Sequence, residues 1–187
     1  FFRQFDFIDA VVTGGDYEIS ISSYLGYVQT GNVRDLSGVY VNSLERNFVG
    51  CSIGNKWSFS DLDVAPYDIY SQMIIDKREM TVTIQRGCPY DCSYCLATKM
   101  YSFQSRMKDP SEIIGYCMKH RSKFDSYRFF APVFTLDREW AKELCRQMIS
   151  AGTDFKWCTT TRYELLDDEE LVGLLVKAGC YKISVGV

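Results

Sequence analysis

The chain has no cluster of lysine or arginine, and its 187 residues carry a formal net charge of −3 at pH 7. Without a basic face there is no electrostatic footprint for a phosphate backbone, so no nucleic-acid partner is expected. A long apolar run is also missing, which removes both a membrane span and the apolar core of a signal segment. There is one histidine, His120, and it lies on or beside the apolar stripe of a predicted helix, where a hydrogen-bonded core or boundary role is expected rather than metal ligation. Cysteine is plentiful, with eight residues. With no signal segment and no disulfide-like framework, this usage fits a reducing, cytoplasmic setting. At 47% hydrophobic and 15% aromatic residues the chain can bury a core of one or two domains.

Five of the cysteines, Cys51, Cys117, Cys145, Cys158 and Cys180, are scattered and read as small buried hydrophobes. The other three are not scattered. Gly87-Cys-Pro-Tyr-Asp-Cys-Ser-Tyr-Cys95 sets Cys88, Cys92 and Cys95 within eight positions, directly after an apolar run, Met80 to Gln85, that reads as a strand. A strand feeding a cysteine loop suits a metal site at the carboxyl end of a parallel sheet, where open α/β folds and barrels place their chemistry. Three thiols at Cys-x3-Cys-x2-Cys spacing do not close a structural zinc site, which takes four ligands in two separated pairs. A zinc knuckle completed by Cys117 or His120 remains the alternative. A 4Fe-4S cluster normally takes four thiolates, so three leave one iron able to bind something other than protein.

This loop, with Gly87 and Pro89 flanking the first thiol and Tyr94 before the third, resembles the signature of the radical S-adenosylmethionine (SAM) superfamily. The resemblance implies that Cys88, Cys92 and Cys95 hold three irons, that the amine and carboxylate of SAM chelate the fourth, and that reductive cleavage yields a 5′-deoxyadenosyl radical. It further implies that Tyr94 lies along the adenine and that the segment Ala131-Pro132-Val133-Phe134 meets the SAM amino group. That segment lacks the carboxylate usual there, so its backbone carbonyls would have to serve. Thr159, Thr161 and Arg162 are expected to point polar groups toward the mouth of the barrel, with Arg162 either forking onto the SAM carboxylate or standing as a solvated surface arginine. Ser184 and Gly186 match positions that contact the ribose side.

Two upstream stretches carry a narrower resemblance, to the members of the superfamily with a cobalamin-binding domain. The first, Ile8 to Glu18, is similar to the last strand and loop of that domain: an apolar run, Gly14-Gly15, then Asp16 capping a helix whose inward positions are expected to be Ile21, Tyr24, Leu25 and Val28. Gly14 and Gly15 would lie against the cobalamin nucleotide tail, so Gly15→Val should expel cobalamin and leave the cluster intact. The second stretch, Asp61-Leu-Asp-Val-Ala-Pro-Tyr-Asp68, resembles the linker before the barrel. Between them, residues 38–41 and 48–53 read as a hairpin.

Downstream, strand and helix alternate. Helices are expected from Asp109-Pro110, from Asp137 and from Asp168, and strands over 127–134, 155–161 and 181–187. Such alternation builds a parallel sheet or barrel. The predicted architecture is therefore α/β: the end of a doubly wound cobalamin-binding domain over residues 1–60, a linker over 61–79, and the first four strands of a partial (β/α)6 barrel over 80–187. The chain opens on Phe1 and stops inside an apolar run at Val187, so it is expected to be a piece of a longer protein.

The expected chemistry is cobalamin-dependent methyl transfer, or related radical chemistry, on a small molecule, with an electron donor such as flavodoxin or ferredoxin as partner. Two alternatives are carried. One is a methylthiotransferase, against which stands the absence of any cysteine before Cys51. The other is a metal-binding or electron-transfer module without catalysis.

Overall fold

Three helices of the chain begin at an aspartate that does the same physical work. Asp109 Oδ1 accepts from the N–H of Ser111 at 2.8 Å, Asp137 Oδ1 from that of Trp140 at 3.0 Å, and Asp168 Oδ1 from that of Leu171 at 3.0 Å. Each satisfies an amide that a helix start leaves without an internal acceptor. The computed structural model that shows this describes residues 4–44 and 79–186. These residues fall into two compact units, 4–44 with 87–105, and 79–86 with 106–186.

The second unit is built on a parallel sheet. Its strands are β3 (Glu79–Thr83), β6 (Ser126–Phe130), β7 (Lys156–Arg162) and β8 (Cys180–Gly186), in that spatial order. The helices between them are α3 (Pro110–His120), α4 (Arg138–Ser150) and α5 (Glu169–Lys177). Each pair of neighbours in sequence is adjacent in space, as β/α crossovers dictate. One sheet face carries Met80, Val82, Tyr127, Phe129 and Trp157 into a core with Ile113, Leu144, Met148, Leu171 and Leu175 from the helices. The Tyr127 hydroxyl donates to the Cys117 carbonyl at 2.7 Å, and Trp157 Nε1 donates to the Ala178 carbonyl at 2.7 Å, so the large rings bury their polar atoms with partners.

The strand expected over 80–85 is broken. After β3 the chain passes the buried Ile84 and forms β4 (Gln85–Arg86), which leaves the parallel sheet to pair antiparallel with β5 (Arg106–Met107). These two short strands are the way into and out of the cysteine segment.

In the first unit, β1 (Ala10–Val12) leads through Gly14-Gly15 to α1 (Tyr17–Thr30), and β2 (Val39–Val41) then pairs with β1. Two expectations change here. The strand at residues 38–41 pairs antiparallel with β1; the expected hairpin partner at 48–53 lies outside the described residues, as do Cys51 and the linker at 61–68. In α1, Ile21, Leu25 and Val28 are exposed, Leu25 by 54%. The buried side is Ser20, with Tyr24 and Tyr27 against Leu36, Val39 and Val41. The helix is turned because β2 covers it on that side, and Ser23 Oγ secures the contact by accepting the Ser37 N–H at 3.3 Å. Among the described residues no helix is long and apolar enough to cross a membrane.

Candidate functional site

The cysteine segment is held in a closed shape by its own backbone. Gly87 has φ +78°, and a Cβ on it would sit 1.9 Å from the Gln104 carbonyl oxygen, so only glycine lets the two ends of the segment meet. Inside, the buried Thr98 donates its hydroxyl to the Tyr90 carbonyl at 2.6 Å. A turn in which the Cys95 N–H donates to the Cys92 carbonyl at 3.0 Å joins the second and third thiols. The one-turn helix α2 (Ala97–Met100) follows.

Cys88 is buried, Cys92 and Cys95 are half-buried, and none of the three is in a disulfide. Tyr94 is 87% exposed. Among the described residues no three ligating side chains converge closely enough to hold a metal ion, so the loop presents its thiols in one segment without gathering them into ligating geometry. The donor set itself fits an iron-sulfur cluster: three soft thiols, with one iron left for a non-protein ligand. Three of the remaining thiols are poorer candidates. Burial pushes the Cys145 thiol up to about 12 and that of Cys180 to about 11, and it raises Cys117 as well, which disfavours the thiolate form that binds metal. His120 sits at the end of α3 with its ring 4.9 Å from that of Tyr116, and burial lowers its pKa below the ordinary value.

Gly14 and Gly15 have a neighbour that the sequence reading did not foresee. The Gly15 N–H donates to the Met100 carbonyl at 2.7 Å, and a Cβ on Gly14 would lie 3.0 Å from the same oxygen. On that side of the turn the space is taken by backbone, so a cofactor tail cannot lie there. A cleft of about 420 Å³ in the same unit is lined by Phe7, Ile8, Ala10, Val12, Ile21 and Tyr24 among others, and includes neither glycine nor any of the three cysteines.

At the carboxyl end of the parallel strands, the register sorts the remaining predicted residues. Thr160 pairs with Ser184 and Arg162 with Gly186, whereas Thr161 pairs with Val185. Side chains alternate along a strand, so Arg162, Thr160 and Ser184 share the face away from the helices. Thr159 and Thr161 point the other way. Thr159 Oγ1 donates to the Phe129 carbonyl at 2.9 Å, and Thr161 Oγ1 lies 2.6 Å from Thr135 Oγ1. The expectation that both threonines face the mouth is corrected: their hydroxyls are buried and committed to protein groups. Ser184 and Gly186 are exposed on the open face. Arg162 forms an ion pair with Glu164, two residues on, which competes for the guanidinium with any carboxylate ligand.

Pro132 lies in the turn after β6, and that turn is pinned from below by a residue the sequence reading passed over. The buried Gln85 accepts the Val133 N–H on its Oε1 at 3.0 Å. A polar residue at the end of an apolar run was the available signal. Also unforeseen is a cluster at the opposite end of the open face. Glu79 Oε1 accepts from Arg128 Nε at 2.9 Å, and its Oε2 accepts from the Tyr181 hydroxyl at 3.0 Å, with Cys158 Sγ at 3.7 Å. Burial pushes the Glu79 pKa up, but the bonds from Arg128 and Tyr181 outweigh it and hold the carboxyl below the ordinary range. It is a carboxylate satisfied by its neighbours.

The Cys-x3-Cys-x2-Cys segment thus follows the first strand of a parallel β/α sheet, and this fold is shared by solved structures. Among them are structures of the radical S-adenosylmethionine methyltransferase TsrM from Kitasatospora setae. One, with tryptophan substrate and a SAM analogue bound, has a TM-score of 0.72 and 18% identity, over 96% of this chain and 37% of that one. Another, with cobalamin and a 4Fe-4S cluster bound, has a TM-score of 0.73 and 16% identity. In sequence, the chain is 28% identical to the anaerobic magnesium-protoporphyrin IX monomethyl ester cyclase of Rubrivivax gelatinosus over 67% of its own length. It is 21% identical to an uncharacterized methyltransferase of Pyrococcus horikoshii over 99% of its length. The chain spans 23% and 41% of these two relatives. No family model matches it.

Proposed function

We propose that the complete protein is a radical SAM enzyme that uses a 4Fe-4S cluster to cleave SAM, with cobalamin-dependent methyl transfer to an unactivated carbon of a small molecule as its reaction. The observation that carries this reading is the set of three clustered cysteines, Cys88, Cys92 and Cys95, none in a disulfide, on a loop that follows the first strand of a parallel β/α sheet. When bound, the cluster would supply the single electron that breaks a carbon–sulfur bond of SAM. The three thiolates would each hold one iron. On the cysteine segment Tyr94 is exposed and available to an adenine; on the parallel sheet Ser184 and Gly186 are exposed and available to a ribose, and Arg162 could take the SAM carboxylate only by leaving Glu164. The turn that holds Pro132 would offer backbone carbonyls to the amino group. Cobalamin would belong to the amino-terminal unit, on a side of the Gly14-Gly15 turn other than the one Met100 fills. A one-electron donor of the flavodoxin or ferredoxin type would complete the set of partners.

The test is anaerobic reconstitution of the complete protein with iron, sulfide and cobalamin, followed by spectra and mass analysis of SAM products. We expect a cluster, corrinoid absorbance, and 5′-deoxyadenosine or S-adenosylhomocysteine. Cys88→Ala, Cys92→Ala and Cys95→Ala should each abolish iron binding and turnover together, while Cys145→Ala changes neither. Iron and sulfide at unaltered levels in all three variants would overturn the ligand assignment. A zinc-loaded protein blind to SAM would favour the non-catalytic module, and sulfur transfer to product the methylthiotransferase.

A further inference from the structure

The cysteine segment is fastened at three points, and the third belongs to a part of the chain some eighty residues earlier. Gly87 and Gln104 close its neck, and Thr98 ties its middle to Tyr90. The remaining fastening is at Met100, the last residue of α2. A helix end leaves its final carbonyls without internal donors, and the Met100 carbonyl is instead satisfied by the Gly15 N–H at 2.7 Å. From there the path to the thiols is short. The Met100 N–H donates to the Leu96 carbonyl at 3.0 Å, Leu96 is bonded to Cys95, and the Cys95 N–H donates to the Cys92 carbonyl at 3.0 Å.

We propose that the Gly14-Gly15 turn is a positioning element for the cysteine loop, and that glycine stands there because backbone must approach Met100, not because a cofactor tail must approach glycine. Both residues have positive φ, +151° and +78°, and the missing Cβ of Gly14 is what admits the Met100 oxygen. A side chain at position 14 pushes Met100 away, releases the end of α2, and shifts Cys95 relative to Cys92. The proposal rests on the radical SAM reading only for what the thiols hold. It replaces the sequence-based expectation that Gly15→Val leaves the cluster intact.

The experiment compares the complete protein with its Gly14→Ala, Gly15→Ala, Gly31→Ala and Met100→Ala variants. Gly31 is the control for backbone strain alone, since its φ is +70° and a Cβ there meets nothing within 4 Å. Met100→Ala keeps the carbonyl and is the control for side-chain packing. After anaerobic reconstitution, Gly14→Ala and Gly15→Ala should show lowered iron and sulfide per chain or an altered electron paramagnetic resonance spectrum of the reduced cluster, and Gly31→Ala and Met100→Ala neither. In the metal-free protein, amide exchange over residues 96–101 should rise about two- to tenfold in the two glycine-turn variants, the loss of one net hydrogen bond. If Gly31→Ala behaves like Gly14→Ala, or if both turn variants keep the parent cluster spectrum, the positioning role is wrong. If the unmutated protein takes up no cluster, it is the radical SAM reading that fails, and unchanged exchange would then sink the anchor as well.

Discussion

α4 and α1 are close in length, 13 and 14 residues, and each carries an apolar stripe at helical spacing, yet only α4 buries it. In α4, Ala141, Leu144, Cys145 and Met148 are fully enclosed between the sheet and the neighbouring helices, and the half-buried Trp140 packs its ring edge-on to Phe134. In α1, Ile21, Leu25 and Val28 of the predicted stripe are exposed, only Tyr24 of it packs against the core, and Ser20 is buried. Periodicity states that a helix has an apolar side; it does not state which neighbour will arrive to cover it. For α4 the neighbours are the strands that precede and follow it in the chain, and the crossover rule places them. For α1 the cover comes from β2 and the turn before it, and they take the side of Tyr24 and Tyr27.

The contrast can be sharpened by substitution. Trp157→Ala removes a fully buried ring in contact with Phe129 and Phe134 and leaves the Ala178 carbonyl without its donor; it should cost about 3–5 kcal/mol in denaturant unfolding. A loss below about 1 kcal/mol would mean that the sheet unit is not packed as described. Gln85→Met keeps the volume and removes the acceptor for the Val133 N–H, so it should cost about 1–3 kcal/mol in denaturant unfolding, whereas Gln85→Glu should cost less at acid pH, where a protonated carboxyl keeps an acceptor oxygen there without burying a charge. Equal effects of the two variants would show that the hydrogen bond is not what matters.

Smaller effects come from charge and from the exposed stripe. The bond from Lys142, with that from the Leu171 N–H behind it, holds the Asp168 carboxyl below its ordinary value of 3.8. A depressed carboxyl contributes stability that is present above the ordinary value and is lost as pH falls through the folded one, so unfolding below about pH 4 should draw on this link. Asp168→Asn should flatten the acid limb of the stability profile; an unchanged limb would remove the Lys142 contact from the account. Last, Leu25→Ser in this chain should change stability by no more than about 0.5 kcal/mol. The same substitution costing about 2 kcal/mol or more in a longer form of the protein would show that residues outside this chain bury the stripe.

The three aspartate-capped helices, the strand and helix alternation after residue 79 and the three clustered thiols were all legible in the sequence. The Thr159–Arg162 stretch was legible only in part. The stretch is polar, but a strand turns successive residues to opposite faces, so composition does not say that Thr160, and not Thr161, lies beside Ser184. Gln85 was hidden in an apolar run, and the Glu79, Arg128 and Tyr181 cluster draws on residues 49 and 102 positions from Glu79.

What the sequence by itself determined is therefore whatever is written within one turn or one loop: where helices start, which segment bears the thiols, and that Gly87 can take a conformation other residues resist. These follow from dihedral preference and from hydrogen bonds between near neighbours in the chain. The tertiary structure decided which side of α1 is covered, that the strand breaks at Ile84 so that Gln85–Arg86 pairs with Arg106–Met107, and that the Gly15 N–H meets the Met100 carbonyl. Each of those is a pairing between segments far apart in sequence, where register and geometric fit choose among partners that local pattern leaves equivalent.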